Sequence, residues 1–460
     1  MEVHYLLVLL SLSGLLSFAV AVEDGYEERL REALKKAQEQ VNASNATLGA
    51  TCYKRFGHNF DCELFPHDKK EPATVHELTP YDISYIGALG DSITAAMGSA
   101  ACTVLDDLIS YRGQSWTIGG RLDLKKITSI PNILRKYNPN LKGFSTGNGG
   151  PNSGNAKNNV AVIGAIAQDM PDQAKELVKR MKESMSEDDF NNKWKLVSLW
   201  IGGNNLCSYC KKREKHSPEN YVNSITAALD ILKEELPRTF VNLIQIIDVT
   251  RLEPLKGPIC DLVHYAVCEC TLKDLEETSR ASTEYQEGLA DLVNSGRYDD
   301  RDDFTVVLQP FMEGVELPRL DNGKPDFSYF APDCFHFSSK GHMEGAIALW
   351  KNMFEPVGSK TSGWDLPGKL YCPTEDNKYL FTKKNSPPPS LFGQSGTEQS
   401  AGVTTEGDKA THSASIAVSA SIGAVSLLVV VIIVIVIAFK LRNKRRARGI
   451  GEQIPLFSNN

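Results

Sequence analysis

The chain has 460 residues, 42% hydrophobic, 23% charged and 8% aromatic, a composition that buries a sizeable core and excludes wholesale disorder, a collagen-like chain or a coiled-coil rod. Its formal net charge of −7 is unevenly spread, with +5 on residues 440–460 and −11 on residues 22–439. An acidic main body carries no electrostatic footprint for nucleic acid, and that class of partner is set aside.

Residues 5–18, YLLVLLSLSGLLSF, are an apolar run followed by the small-x-small signature Ala19-Val20-Ala21. Only His4 stands where a positive n-region is usual, yet a cleaved signal peptide over 1–21 is the better reading than an uncleaved anchor. Residues 22–50 form a polar, helix-compatible leader (EERLREALKKAQEQ). It ends on the sequons Asn42-Ala-Ser and Asn45-Ala-Thr, expected to be glycosylated on an exterior surface.

The folded domain is expected over 51–376, without internal repeats. Short apolar, β-branched runs at 83–89, 160–163, 196–201, 240–249 and 304–308 read as strands. Helix-compatible segments follow or separate them at 168–184, 218–236, 272–292 and 339–353. Continuous hydrophobic strands alternating with amphipathic helices predict a five-stranded, mostly parallel sheet covered on both faces. In such a sheet the ligand crevice lies at the carboxyl ends of the strands.

All ten cysteines fall between 52 and 372. Cys207-Ser-Tyr-Cys210 and the cluster Cys260, His264, Cys268, Cys270 have the look of metal ligands. In a chain that carries a secretion signal, disulfides are the better account, and no metal is expected. Residues 377–415, rich in Pro, Ser, Thr and Gly, read as a flexible stalk. Residues 416–439 hold no charge and close with LLVVVIIVIVIAF. At ~1.5 Å per residue they reach ~36 Å, enough to cross a hydrocarbon core of ~30 Å. KLRNKRRAR follows, which places 440–460 in the cytoplasm and the main body outside. A GPI signal is disfavoured because polar residues follow the apolar run. The expected topology is single-pass type I, anchored in the cell membrane by one helix.

The residues just after the strands carry the chemistry. Gly90-Asp91-Ser92 follows the first run, Gly164-Ala165 the second and Gly202-Gly203-Asn204-Asn205 the third; Asp333-Cys334-Phe335-His336 comes in a loop beyond the fifth. Ser92, at an expected strand-to-helix junction, is the candidate nucleophile. Asp333 and His336 are spaced so that the carboxylate can fix the imidazole tautomer while the other ring nitrogen faces a serine. Gly164 lets a backbone N–H approach a reacting oxygen, and the Asn204 amide can donate to the same oxyanion, together with the Ser92 N–H. Each element alone is weak: GDS arises by chance, and a second Asp-x-x-His occurs at Asp261–His264. Their occurrence in order at successive strand ends is the stronger signal. Asp261 and His264, amid three cysteines, read as a disulfide-braced loop; His342 reads as structural.

The blocks GDSIT, Gly164, GGNN and DxxH resemble the four signature blocks of the GDSL, or SGNH, serine hydrolases. YRGQSWTIGG, PNILRKYNPNLKGFSTG, LQPFM and APDCFHFSSKGH extend the resemblance across roughly 51–376, toward the phospholipid-hydrolysing branch of that family. It implies a three-layer α/β/α, flavodoxin-like fold and hydrolysis of phospholipid and lysophospholipid esters, with acylglycerols as further substrates and no cofactor. Position by position, it implies Ser92 as nucleophile, Asp333 and His336 as its partners, and Gly164 and Asn204 as oxyanion donors. The third block departs from the commoner GxND, since Asn205 stands where Asp is usual. Carbohydrate deacetylation by the same constellation and a non-catalytic type I receptor are the alternatives.

Overall fold

The computed structural model describes residues 25–44, 56–67 and 70–387, all within one compact unit that runs to Gly393. The expected signal peptide, membrane span and cytoplasmic tail lie outside the described residues, as do nearly all of the stalk, Asn45 and the side chain of Asn42. Among the described residues no helix is long and apolar enough to cross a membrane.

Four parallel strands form the sheet: β1 (Ile83–Gly90), β2 (Trp194–Trp200), β3 (Thr239–Ile244) and β4 (Phe304–Gln309), adjacent in chain order. β2 and β3 are buried at every position, as continuous apolar runs require when both faces of a sheet are covered. The long helices α3 (Met170–Ser184), α6 (Pro218–Glu235) and α9 (Leu275–Asn294) connect successive strands. Right-handed crossovers that always step in one direction put all three on the same face. Ahead of them come α1 (Tyr26–Ser44) and the short α2 (Ile130–Leu134); α4 (Glu187–Asn192) and α5 (Gly203–Ser208) flank β2. Between β3 and α9 lie α7 (Pro258–Val267) and α8 (Cys270–Lys273). The last helix, α10 (Ser339–Met353), packs with α2 against the sheet, and Asn242 Nδ2 of β3 meets Met353 Sδ at 3.3 Å. Ser338 caps α10 by accepting from the Lys340 and Gly341 N–H groups.

The sheet has four strands rather than five. Residues 158–162 do bond to β1, through Ala88 N to Asn158 O (3.1 Å), Val160 N to Ala88 O (3.0 Å) and Val162 N to Gly90 O (3.2 Å). They share that edge with Lys142, which exchanges bonds with Ser84 and Ile86, so neither segment builds a ladder of its own. The preceding GNGGPNSGNAKNN, dense in Gly, Asn and Pro, resists extension into a strand. The expected run 240–249 also ends early, at Ile244, before Asp248 caps a 3₁₀ turn at Val249–Leu252. Residues 258–267, expected as a disulfide-braced loop, are the helix α7.

Every cysteine of the suspected metal clusters is oxidised: Cys207 pairs with Cys268, Cys210 with Cys270, and Cys260 with Cys334. A fourth bond, Cys62–Cys372, ties the two ends of the domain.

Candidate active site

The carboxyl ends of β1 and β2 lie level, Gly90 opposite Trp200. Three of the expected site residues follow at once: Ser92 beyond β1, Gly164 beyond the segment bonded to Gly90, and Asn204 in α5 beyond β2. Ser92 sits in a series of turns rather than at the start of a helix. Ala95 N donates to Asp91 O (2.9 Å), and Met97 N donates to Ser92 O (2.9 Å). Gly90 at φ +154° begins this turn, and a Cβ there would lie 2.3 Å from Thr94 Oγ1 and 2.7 Å from Trp200 O. Only glycine fits.

His336 arrives from the far end of the domain. Its Nε2 is 2.8 Å from Ser92 Oγ, and its Nδ1 is 2.5 Å from Asp333 Oδ2. Asp333 Oδ1 accepts from the N–H groups of Phe335 and His336, each at 2.9 Å. Burial works to raise the Asp333 pKa. The His336 charge, its ring hydrogen bond and those two N–H donors outweigh it, holding the carboxyl below the usual range. An ionised Asp333 accepts from Nδ1–H and leaves Nε2 to accept from the serine hydroxyl. Ser92 is 2% exposed, Asp333 and His336 are fully buried, and Asn204 is 4% exposed.

Asn204 Nδ2 donates to Ala165 O (2.9 Å), which ties its helix to the Gly164 loop and leaves its second amide hydrogen for another acceptor. Gly164 has φ +74°, the left-handed region that glycine enters freely. Among the described residues neither the Ser92 nor the Gly164 N–H is spent in a backbone hydrogen bond. Asn205, the departure from the commoner Asp, accepts from Ala167 N (2.9 Å). Its Nδ2 donates to Gln168 Oε1 (3.0 Å) and stands 3.2 Å from His216 Nδ1. A carboxylate could not donate to those two groups.

The second Asp-x-x-His does not form a second relay. His264 Nε2 donates to Cys334 O (3.0 Å), and burial lowers its pKa, keeping the ring neutral. The Cys260–Cys334 disulfide joins the same helix to the same loop, so α7 braces the loop that carries Asp333 and His336. Cys334 adopts φ +58°, a left-handed conformation that a residue with a Cβ adopts only when its surroundings impose it. His342 is buried with neither ring nitrogen paired, its pKa pushed down to about 3 by burial and by His336.

Several supporting residues carried no signal that strand-end reasoning could use. Gln173 of α3 clamps Gly90 from both sides, Oε1 accepting from its N–H and Nε2 donating to its carbonyl, both at 2.9 Å. Arg112, fully buried, donates to Gly149 O, Asn159 Oδ1 and Ala161 O, and Asn159 Nδ2 donates to Thr94 O in the turn that carries Ser92. One competitor is also removed. Gly143-Phe144-Ser145-Thr146-Gly147 has the GxSxG form of an α/β-hydrolase elbow, but Ser145 is buried and donates to Ala156 O (2.8 Å).

A model of the family GDSL-like Lipase/Acylhydrolase matches residues 86–349. The chain is similar to "Phospholipase B1, membrane-associated" of Homo sapiens, 46% identical over 329 residues that cover 68% of this chain and 22% of that protein. Its similarity to the protein of the same name from Mus musculus is 43% over 344 residues, 72% of this chain and 23% of the other. The chain thus spans less than a quarter of the length of the curated relatives it matches. The family model takes in more than half of the chain and reaches from β1 through the Asp333–His336 loop into α10: the chain belongs to the GDSL-like lipase/acylhydrolase family.

Proposed function

We propose that this chain is a serine esterase that hydrolyses the fatty-acyl esters of phospholipids and lysophospholipids, held at the cell surface by residues 416–439 with its folded domain outside. The observation that carries the esterase reading is the unbroken relay from Ser92 Oγ to His336 Nε2 (2.8 Å) and from His336 Nδ1 to Asp333 Oδ2 (2.5 Å). His336 takes the Ser92 proton as Oγ attacks the acyl carbonyl, and Asp333 stabilises the imidazolium. The oxyanion accepts from the Ser92 and Gly164 N–H groups and from the Asn204 amide. The C–O bond to glycerol breaks as His336 returns the proton to the leaving oxygen. Water, deprotonated by the same ring, then releases the fatty acid from Ser92.

The names of the relatives support lipid as substrate and a membrane as the setting. The apolar run with its basic flank supports the anchor. The full-length protein, incubated with diacyl and lysophospholipids, acylglycerols and acetylated sugars, should release fatty acid from the phospholipids; release of acetate alone would replace the reading. A chain ending at Ser390 should be secreted and active, and its retention in membranes would mean another anchor.

A further inference from the structure

Each half of the relay stands two hydrogen bonds from a pair of exposed apolar side chains. Met97 N donates to Ser92 O at 2.9 Å, and the next residue, Gly98, donates through its N–H to Ile109 O at 3.0 Å. Ile109 is 39% exposed and Leu105, four residues earlier in the same loop, 47%. On the other half, Ala331 N donates to His336 O at 2.8 Å, and Phe330 N donates to Phe327 O at 3.0 Å. Phe327 is 43% exposed. Just before it the chain doubles back, Arg319 bridging to Pro325 and Asp326 N donating to Pro318 O at 2.7 Å. Leu320 stands at that turn, 48% exposed. The start of α10 joins the two segments: Ser339 Oγ donates to Ser99 O at 2.8 Å, and Ser338 Oγ donates to Ser328 O at 2.6 Å. Single exposed leucines are ordinary, but two pairs beside one site make a patch of the kind that marks an interaction surface. Arg319 and Lys324 flank Leu320, and neither forms an ion pair among the described residues. The neighbouring acids are already taken, Asp326 by Lys340 and Glu316 by Arg251.

The chain leaves this domain at the other end of the sheet. Asn385 Nδ2 donates to His76 O at 2.8 Å, and Lys384 pairs with Asp302 at 2.9 Å. His76 precedes β1 and Asp302 precedes β4, so both contacts lie at the amino ends of the strands. Residues 388–415, 28 in all, then separate the last described residue from the apolar run at 416. Fully extended they span ~100 Å at most, against ~50 Å across a domain of about 350 residues. A tether of that length, fixed at the amino ends, lets the Ser92 end of the sheet reach the bilayer but does not turn it there. Orientation is left to a contact at the carboxyl ends. We propose that Leu105, Ile109, Leu320 and Phe327 form a lipid-contact face that enters the headgroup layer of the bilayer holding the substrate, with Arg319 and Lys324 at the phosphates. The inference rests on the reading of the chain as a membrane-tethered phospholipid hydrolase. It adds which face meets the membrane, and it brings the turn of Ser92 and the loop of His336 to the depth at which acyl esters lie.

The test uses the full-length protein reconstituted in phosphatidylcholine vesicles. Two rates are read per Ser92 labelled by a fluorophosphonate: fatty acid released from the vesicle lipid, and hydrolysis of a water-soluble short-chain ester. Leu320→Asp, and Leu320→Asp with Phe327→Asp, put carboxylates on the face. Because a charge enters the bilayer at a cost, the double variant should lower the vesicle rate about tenfold or more and leave the ester rate within about twofold. Leu320→Asp alone should do the same to a smaller degree, and Arg319→Glu/Lys324→Glu smaller still. Leu64 and Tyr379 are exposed apolar residues at the amino ends, beside Phe65 and Leu380, which bond to Tyr81 and Leu78 ahead of β1. Leu64→Asp/Tyr379→Asp should change neither rate. An unchanged vesicle rate in the Leu320/Phe327 double variant overturns the face. A loss confined to the Leu64/Tyr379 variant overturns it too, by putting the amino ends against the bilayer. So does an equal loss on both substrates in Leu320→Asp, a single change at an exposed turn, which would tie that turn to the relay and not to lipid. A wild-type dimer that Leu320→Asp dissociates would give the face to a second copy of the chain and overturn its lipid contact. A wild type that cleaves the short ester but no phospholipid overturns the lipid reading and this face with it.

Discussion

The two halves of the relay are held by different physics. The turn that carries Ser92 is held by hydrogen bonds from the sheet and the helices beside it. Gly90 starts it, Gln173 clamps that glycine's peptide from both sides, and Asn159, itself fixed by Arg112, bonds to Thr94 inside it. The loop that carries Asp333 and His336 hangs between β4 and α10. It is fastened from outside, by the Cys260–Cys334 disulfide and the His264 hydrogen bond to the carbonyl of that same Cys334. A turn continuous with the sheet inherits the precision of its strand, whereas a long loop needs a staple to hold a histidine within hydrogen-bond reach of a serine more than two hundred residues away.

The comparison should break most sharply at the atoms of the relay, where removing either half is expected to stop turnover. Ser92→Ala should lose ester hydrolysis by on the order of 10⁴-fold or more while folding normally, and a fluorophosphonate should label only the wild type. His336→Ala should fall as far. Asp333→Asn should lose about 10³–10⁴-fold, because an amide at that position no longer selects the Nδ1–H tautomer. These are read as kcat on a soluble ester. Survival of turnover in His336→Ala would dissolve the assignment.

The staple itself gives the next effect. Removing Cys260–Cys334 as a double serine variant should lower kcat about tenfold by letting the His336 loop drift, and His264→Ala should do the same to a smaller degree. The double serine variant of Cys62–Cys372, none of whose cysteines touches the relay, should cost about 2–4 kcal/mol of stability and leave kcat intact. Comparing kcat and thermal midpoint across the three separates bracing from general stability. Equal kcat losses in both double variants would mean that α7 has no special role.

The same contrast explains what could be read from the sequence. Ser92, Gly164 and Asn204 were legible because each immediately follows an apolar run, and a parallel sheet brings strand ends together whatever the helices do. Asp333 and His336 were legible from their mutual spacing, which one loop satisfies locally. Their support was not: Gln173 sits mid-helix on α3, Arg112 in a turn, and His264 on a helix that looked like a cysteine-rich loop. Each acts through a contact that only the assembled fold creates. The fifth strand failed for a related reason, since a short apolar run says nothing of who else claims the same sheet edge. The leader's helix is legible in its sequence, but its polar composition hides a five-residue apolar stripe.

The smallest effect concerns charge inside the turn that carries Ser92. Asp91 is buried beside Ser92, where burial pushes its pKa up to about 6 against the Ile93 and Thr94 N–H donors and the attraction of His336. For a carboxyl raised in the folded state, the cost of ionisation is absent below the unfolded value of about 3.8 and fully present above about 6. Stability therefore declines across that interval on account of this group, the reverse of Asp333, whose lowered pKa adds stability above its unfolded value. Asp91→Asn keeps the acceptor for Ile93 N and removes the buried charge. It should raise the thermal midpoint by a few degrees at pH 8, from at most about 3 kcal/mol, and leave it unchanged at pH 4. Calorimetry at the two pH values decides the point. A variant destabilised equally at both would mean that the carboxylate, not its neutral form, is what the turn is built to hold.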